Sequence, residues 1–142
     1  MSTEAKVLVV DDTPHNVKLL ADLLAVKGYH VATAVNGEEA LSKVASDPPD
    51  LILLDVMMPG LSGYDVCRRL RADPGTALLP IVLVTSLDPQ SERVKGIEAG
   101  ADDFLGKPIN QAELFARVRS LLRIKALQDE VRSQAAALAD WN

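Results

Sequence analysis

Aromatic residues make up only 4% of this 142-residue chain, and it has a single cysteine, Cys67. One thiol cannot close an internal disulfide, which excludes a disulfide-stapled miniprotein and fits a reducing compartment. With so few rings, the core has to be built from Val, Leu, Ile and Ala. Long apolar runs are missing too. Stretches such as Leu51–Leu54 fall far short of the roughly 20 residues needed to span a bilayer, so no membrane association is expected. Met1–Lys6 is polar and an acidic pair follows one short apolar run, so no signal peptide is expected either. Positive charge is scarce: 15 Lys and Arg against 20 Asp and Glu leave a net charge of −5. Binding to a nucleic-acid backbone needs clustered positive charge, and none of the runs here supplies it. At 48% hydrophobic and 25% charged, the chain is neither disordered nor collagen-like. These features describe one soluble, cytoplasmic domain without direct nucleic-acid contact.

The apolar residues alternate between two periods. Short β-branched and aliphatic runs at Val7–Val10, Tyr29–Thr33, Leu51–Leu54, Ile81–Val84 and Phe104–Leu105 suit strands buried on both faces. Helical spacing separates them: Val17, Leu20, Leu23 and Leu24; Ala40, Leu41 and Val44; Val66 and Leu70; Val94 and Ile97; Leu114, Val118, Leu121 and Leu122. Pro14 suits the first turn of a helix, and Asn36 before Gly37-Glu38-Glu39 suits a helix start. Gly28, Gly37, Gly60, Gly63 and Gly100 fall between the periodic segments. Five consecutive βα units predict a parallel sheet covered by helices, an α/β doubly wound domain over about residues 4–124.

The fifth helical segment has no stop signal. From Leu114 to Trp141 there is no Gly or Pro, and Ile124, Leu127, Val131, Leu138 and Trp141 continue with heptad spacing, Gln134 filling one seam position. Residues 125–142 therefore read as a coiled-coil linker leading to a C-terminal output domain, with a parallel homodimer expected. A frayed amphipathic tail is the plainer alternative.

Five positions carry chemical interest. Asp11-Asp12 follow the first strand, Asp55 the third, Thr85 ends the fourth, and Lys107-Pro108 follow the fifth. Singly, each has an ordinary explanation as a cap, a turn residue or a solvated cation. Together they occupy the carboxyl ends of parallel strands, the edge at which open α/β sheets place ligands. With a strand order of 2-1-3-4-5, the three aspartates converge. Close carboxylates repel, so the pocket needs protons or a metal ion. An all-oxygen set without His or Cys suits Mg²⁺ rather than zinc. A lysine and a hydroxyl opposite complete a cradle for an anion, as phosphoryl transfer requires. Asp55, central in the sheet, is the better nucleophile.

The order and spacing of these residues resemble the receiver domain of two-component response regulators. The matching segments are Val7–Asp12, Leu51–Gly63, Ile81–Ser86, Gly100–Phe104 and Lys107-Pro108. The resemblance implies a flavodoxin-like five-stranded sheet of order 2-1-3-4-5 with five helices. It implies Asp55 as phosphoacceptor, and Mg²⁺ or Mn²⁺ held by Asp11, Asp12, Asp55 and the Met57 backbone carbonyl. Thr85 would bond the phosphoryl group, Lys107 would pair with it, Pro108 would follow a cis peptide and Phe104 would be the switch aromatic. The expected function is a phosphorylation-activated switch with no separate substrate turnover. Its partner is a sensor histidine kinase or phosphotransfer protein.

Val66–Pro74, Gly100–Phe104 and Leu114–Arg123 further resemble receivers fused to nucleotide-second-messenger cyclases, either diguanylate cyclases or adenylate/guanylate cyclases, although no cyclase motif lies within the chain. A haloacid-dehalogenase-type phosphatase also uses an aspartyl phosphate on such a sheet, but needs an Asp two residues after its nucleophile, where Asp11 is followed by Thr13. A flavin-binding module would need a Ser/Thr/Gly-rich loop after the first strand, and Thr13-Pro14-His15-Asn16 is a poor one. A degenerate receiver would lack an acid, hydroxyl or lysine position, and none is missing.

Overall fold

The structure, a computed structural model, describes residues 5–86 and 89–140. Five strands and five helices alternate: β1 (Lys6–Val10), α1 (Pro14–Val26), β2 (His30–Ala34), α2 (Gly37–Ser46), β3 (Leu51–Asp55), α3 (Gly63–Ala72), β4 (Ile81–Thr85), α4 (Pro89–Ala99), β5 (Asp103–Gly106) and α5 (Gln111–Asp140). The sheet is parallel, in the order β2-β1-β3-β4-β5. The central strands β3 and β4 are buried along their whole length, which is why they read as unbroken aliphatic runs. Alternate strand residues feed two cores. Leu8, Val10, Ile52, Leu54, Ile81 and Leu83 face one side, with α2, α3 and Phe104. Val7, Val9, Leu51, Leu53, Val82 and Val84 face the other, with Leu24 of α1 and Leu114 and Val118 of α5.

Helix starts follow local chemistry. Asn36 Oδ1 accepts the Glu39 backbone N–H at 2.8 Å, with Glu38 and Glu39 in the first turn of α2. Ser62 and Asp65 form a reciprocal capping box on α3. Gly37 is the first residue of α2 after the Asn36 cap, as expected, whereas Gly63 opens α3 rather than sitting between elements. At Gly63 the reason is close approach: a Cβ there would come within 2.5 Å of the Asp55 carbonyl oxygen.

Helix α4 departs from expectation. Val94 and Ile97, read as its core-facing marks, are 57% and 65% exposed, while Glu92, Gly96 and Ala99 face inward. Two apolar residues three apart mark a face without saying which side of the sheet it meets, and here the close approach of Gly96 to Leu83 and Phe104 sets the rotation.

Helix α5 runs unbroken for 30 residues, about 45 Å at 1.5 Å per residue, straight through positions 124 and 125. Leu114 and Val118 are buried, but Ile124, Leu127, Val131, Gln134 and Leu138 are exposed. Trp141 of the expected seam lies outside the described residues. Among the described residues, no helix is long and apolar enough to cross a membrane.

Candidate functional site

Strand register builds the site. Val10 pairs with Leu54, so the residues that follow, Asp11 and Asp55, emerge side by side. Asp55 pairs with Val84, which places Thr85 one step beyond it, and Thr85 pairs with Gly106, so Lys107 leaves the next strand at the same edge. The Lys107 backbone N–H donates to the Thr85 carbonyl at 2.8 Å, and the Lys107–Pro108 peptide is cis.

The side chains converge as this register demands. Asp11, Asp12 and Asp55 each offer a carboxylate oxygen within 4.8 Å of the others. Asp11 and Asp55 are buried and Asp12 is exposed at the rim. The Lys107 ammonium donates to Asp11 Oδ2 at 3.1 Å and Asp55 Oδ1 at 3.5 Å. Asp11 Oδ1 also accepts the Thr13 backbone N–H at 2.9 Å, which holds its carboxylate in place ahead of α1. Burial, reinforced by the charge of Asp11, pushes Asp55 up to about 6 even though Lys107 pulls the other way. For Lys107, burial lowers the pKa, but its bonds and attraction to Asp11 and Asp55 outweigh that and raise it. Lys107 therefore stays a cation.

This pocket holds three acids against one ammonium. A divalent cation balances the remaining charge, and an all-carboxylate set open on the Asp12 side fits a hard ion that retains waters. Thr85 is buried at the end of β4. Phe104 is buried against Leu83 and Gly96. Met57, next to the pocket in sequence, is exposed, whereas Met58 packs into the core. His15 and His30 are exposed, apart from the acidic cluster, and Cys67 is a buried core residue.

The family model of the response regulator receiver domain matches residues 7–119. The chain belongs to this family. As a receiver domain it is a signalling module of a two-component system, of the kind that binds Mg²⁺ at an acidic pocket. It is 53% identical over 133 residues to response regulator PleD of Caulobacter vibrioides, covering 94% of this chain and 29% of that protein. It is 47% identical over 135 residues to response regulator MprA of Mycobacterium avium, covering 95% of this chain and 58% of that protein. The chain thus spans less than two thirds of either relative. Chemotaxis protein CheY4 of Vibrio cholerae superposes with a TM-score of 0.79 at 31% identity, covering 83% of this receiver and 98% of that chain.

Several residues that shape the receiver were not singled out by sequence. Tyr64 donates to the buried Glu92 of α4. Arg71 donates to the carbonyls of Gly100, Ala77 and Leu79 and to Asp102, which in turn accepts the Ile81 N–H. The spacing of Tyr64, Cys67 and Arg71 along one face of α3 is the signal that could have drawn attention to them.

Proposed function

We propose that this receiver domain accepts a phosphoryl group on Asp55 from a histidine kinase or a phosphotransfer protein. A carboxylate oxygen of Asp55 forms the new O–P bond as the P–N bond of the donor phosphohistidine breaks. The electron pair of that bond leaves on the imidazole nitrogen, and an acyl phosphate remains. The observation that carries this reading is Asp55 itself: buried, clustered with Asp11 and Asp12, and within 3.5 Å of the Lys107 ammonium.

Asp11, Asp12, Asp55 and the Met57 backbone carbonyl would hold Mg²⁺ or Mn²⁺, which would supply positive charge to the transferring group. Lys107 exchanges its carboxylate partners for a phosphoryl oxygen. The Thr85 hydroxyl bonds the phosphoryl group, repacking the segment after β4, and Phe104 follows at the α4–β5–α5 face. The change passes along α5 into a linker, residues 125–142 after a receiver unit at 4–124, whose apolar seam pairs with a second copy. It ends in an output domain of the nucleotide-cyclase class. Two things support a further domain: the receiver matches only 29% of PleD, and α5 continues far past the core. We place the receiver in the cytoplasm, a reducing compartment in which its lone, buried cysteine, Cys67, stays a free thiol. The receiver acts as phosphoacceptor without turning over a separate substrate.

Intact mass after incubation with Mg²⁺ and a small acyl phosphate tests this. One added phosphoryl group is expected, absent in Asp55→Asn and in a chelated sample. An adduct that persists in Asp55→Asn sinks the assignment. So does a lack of any adduct combined with no beryllofluoride-induced shift.

A further inference from the structure

Glu92 is a buried carboxylate outside the acidic pocket, in the first turn of α4. A buried charge needs a partner. Tyr64 supplies it, its hydroxyl donating to Oε2, with the Glu92 backbone carbonyl 3.4 Å from that hydroxyl. The Lys95 ammonium lies 4.0 Å from Oε1 on the solvent side.

This bond is one of three. Tyr64, Cys67 and Arg71 lie along one face of α3, and each donates to α4 or its end: to Glu92, to the Ala99 carbonyl at 3.2 Å, and to the Gly100 carbonyl at 2.8 Å. Among the described side chains of α4, only Ala99 joins the buried apolar core. Gly96 brings no side chain, Ala99 a methyl group, and Val94 and Ile97 point outward. Helix α3, in contrast, is fixed. The Gly63 N–H donates to the Val56 carbonyl at 2.9 Å, and its Cα lies against the Asp55 backbone.

The two ends of α4 differ. At its C-terminus, Cys67 is wholly buried and Arg71 also ties down the α3–β4 connection, so that end is woven into the body. The N-terminal turn lies four residues beyond Thr85, at the edge where the candidate site sits. We propose that the Tyr64–Glu92 hydrogen bond is a latch on the N-terminal half of α4, and that opening it favours the phosphoryl-bound form while the Cys67 and Arg71 ties serve as the pivot. The second half of this inference rests on Asp55 being the phosphoacceptor. Tyr64 and Glu92 are positioning residues; they touch no reacting atom.

The test uses the ¹⁵N-labelled chain with Tyr64→Phe, which keeps the ring and removes the donor, and Cys67→Ala, which removes a tie at the other end. Without ligand, Tyr64→Phe should speed amide exchange at residues 91–95 about tenfold, as loss of a hydrogen bond to a charged group implies, and leave residues 98–100 unchanged. With Mg²⁺ and beryllofluoride, its apparent affinity should rise about three- to tenfold, because the binding-competent population grows. Glu92→Gln, which keeps an acceptor, should stay within about twofold of wild type, the smaller effect expected of a neutral bond. Cys67→Ala should lower the melting temperature without raising affinity, as a merely structural contact would. Uniform or unchanged exchange along α4 overturns the latch. An affinity that is unchanged, falls, or rises equally in Cys67→Ala overturns its coupling to the switch. If wild type shows no beryllofluoride response, the Asp55 reading fails with that coupling, and the exchange measurement still decides the latch.

Discussion

Asp55 is a carboxylate placed where its own charge is costly. In metal-free protein its raised pKa means that the folded state favours the protonated form. The unfolded chain releases that proton near pH 3.8 and the folded chain near 6. Between those values the folded state binds more protons, so this contribution to stability falls as pH rises and reaches its full cost above pH 6. Asp55→Asn removes the cost. In chelator it should be more stable than wild type at pH 7.5 by about 1–3 kcal/mol, with the gap closing toward pH 4; urea titrations at the two pH values measure it. Equal stability of the two proteins at pH 7.5 contradicts the electrostatic reading of this pocket. Arg71 poses the opposite case, a charge satisfied by several carbonyls and by Asp102. Arg71→Met takes the guanidinium donor from the Gly100, Ala77 and Leu79 carbonyls and should cost about 2–4 kcal/mol in urea unfolding.

At the scale of elements, the packing of α3 onto the end of β3 limits what the site tolerates. Gly63→Ala would drive a methyl group into the Asp55 carbonyl, which cannot move without moving the carboxylate above it. Loss of at least about 2 kcal/mol of stability is expected, together with weaker Mg²⁺ binding read by calorimetry. A stable variant with unaltered Mg²⁺ affinity would show that the contact relaxes freely. Helix α4 illustrates where pattern reading stops. Val94 and Ile97 have helical spacing, but in a helix with only a few apolar residues the inward face was taken by Glu92, Gly96 and Ala99. Propensity and periodicity describe an isolated helix; its rotation is set by what lies opposite, here the Phe104 ring and the donors on α3.

For the whole molecule, the feature with most consequence is a 30-residue helix whose C-terminal half leaves the core. Beyond Leu122, α5 presents Ile124, Leu127, Val131 and Leu138 to solvent, and a lone helix with such a stripe gains by pairing. Removing residues 125–142 should shift the chain toward monomer in sedimentation equilibrium; equal masses for both lengths would exclude this seam as the dimer contact. Lys125 reaches back to the body, its ammonium 4.0 Å from Asp50, so a cut after Lys125 serves as the control that preserves the Asp50 contact.

Much of this receiver was legible from sequence because its determinants are local. The short apolar runs suited parallel strands, although β2, at the sheet edge, is buried only at Ala34 rather than on both faces, and Asp11, Asp55 and Lys107 each lie at a strand end or one residue past it, so their common edge was implied by chain order. Glu92 and Arg71 were not legible, since a charged residue in a polar helix ordinarily faces water, and only the meeting of α3, α4 and the loops around them turned these two inward. The sequence by itself determined the alternation of strand and helix, and with it the identity of the residues at the sheet edge. The tertiary structure alone decided the rotation of α4, the burial that raises Asp55 and the hydrogen bonds tying α4 to α3. Periodicity reports on residues a few positions apart, whereas desolvation and partner choice depend on groups distant in sequence that only packing brings into contact.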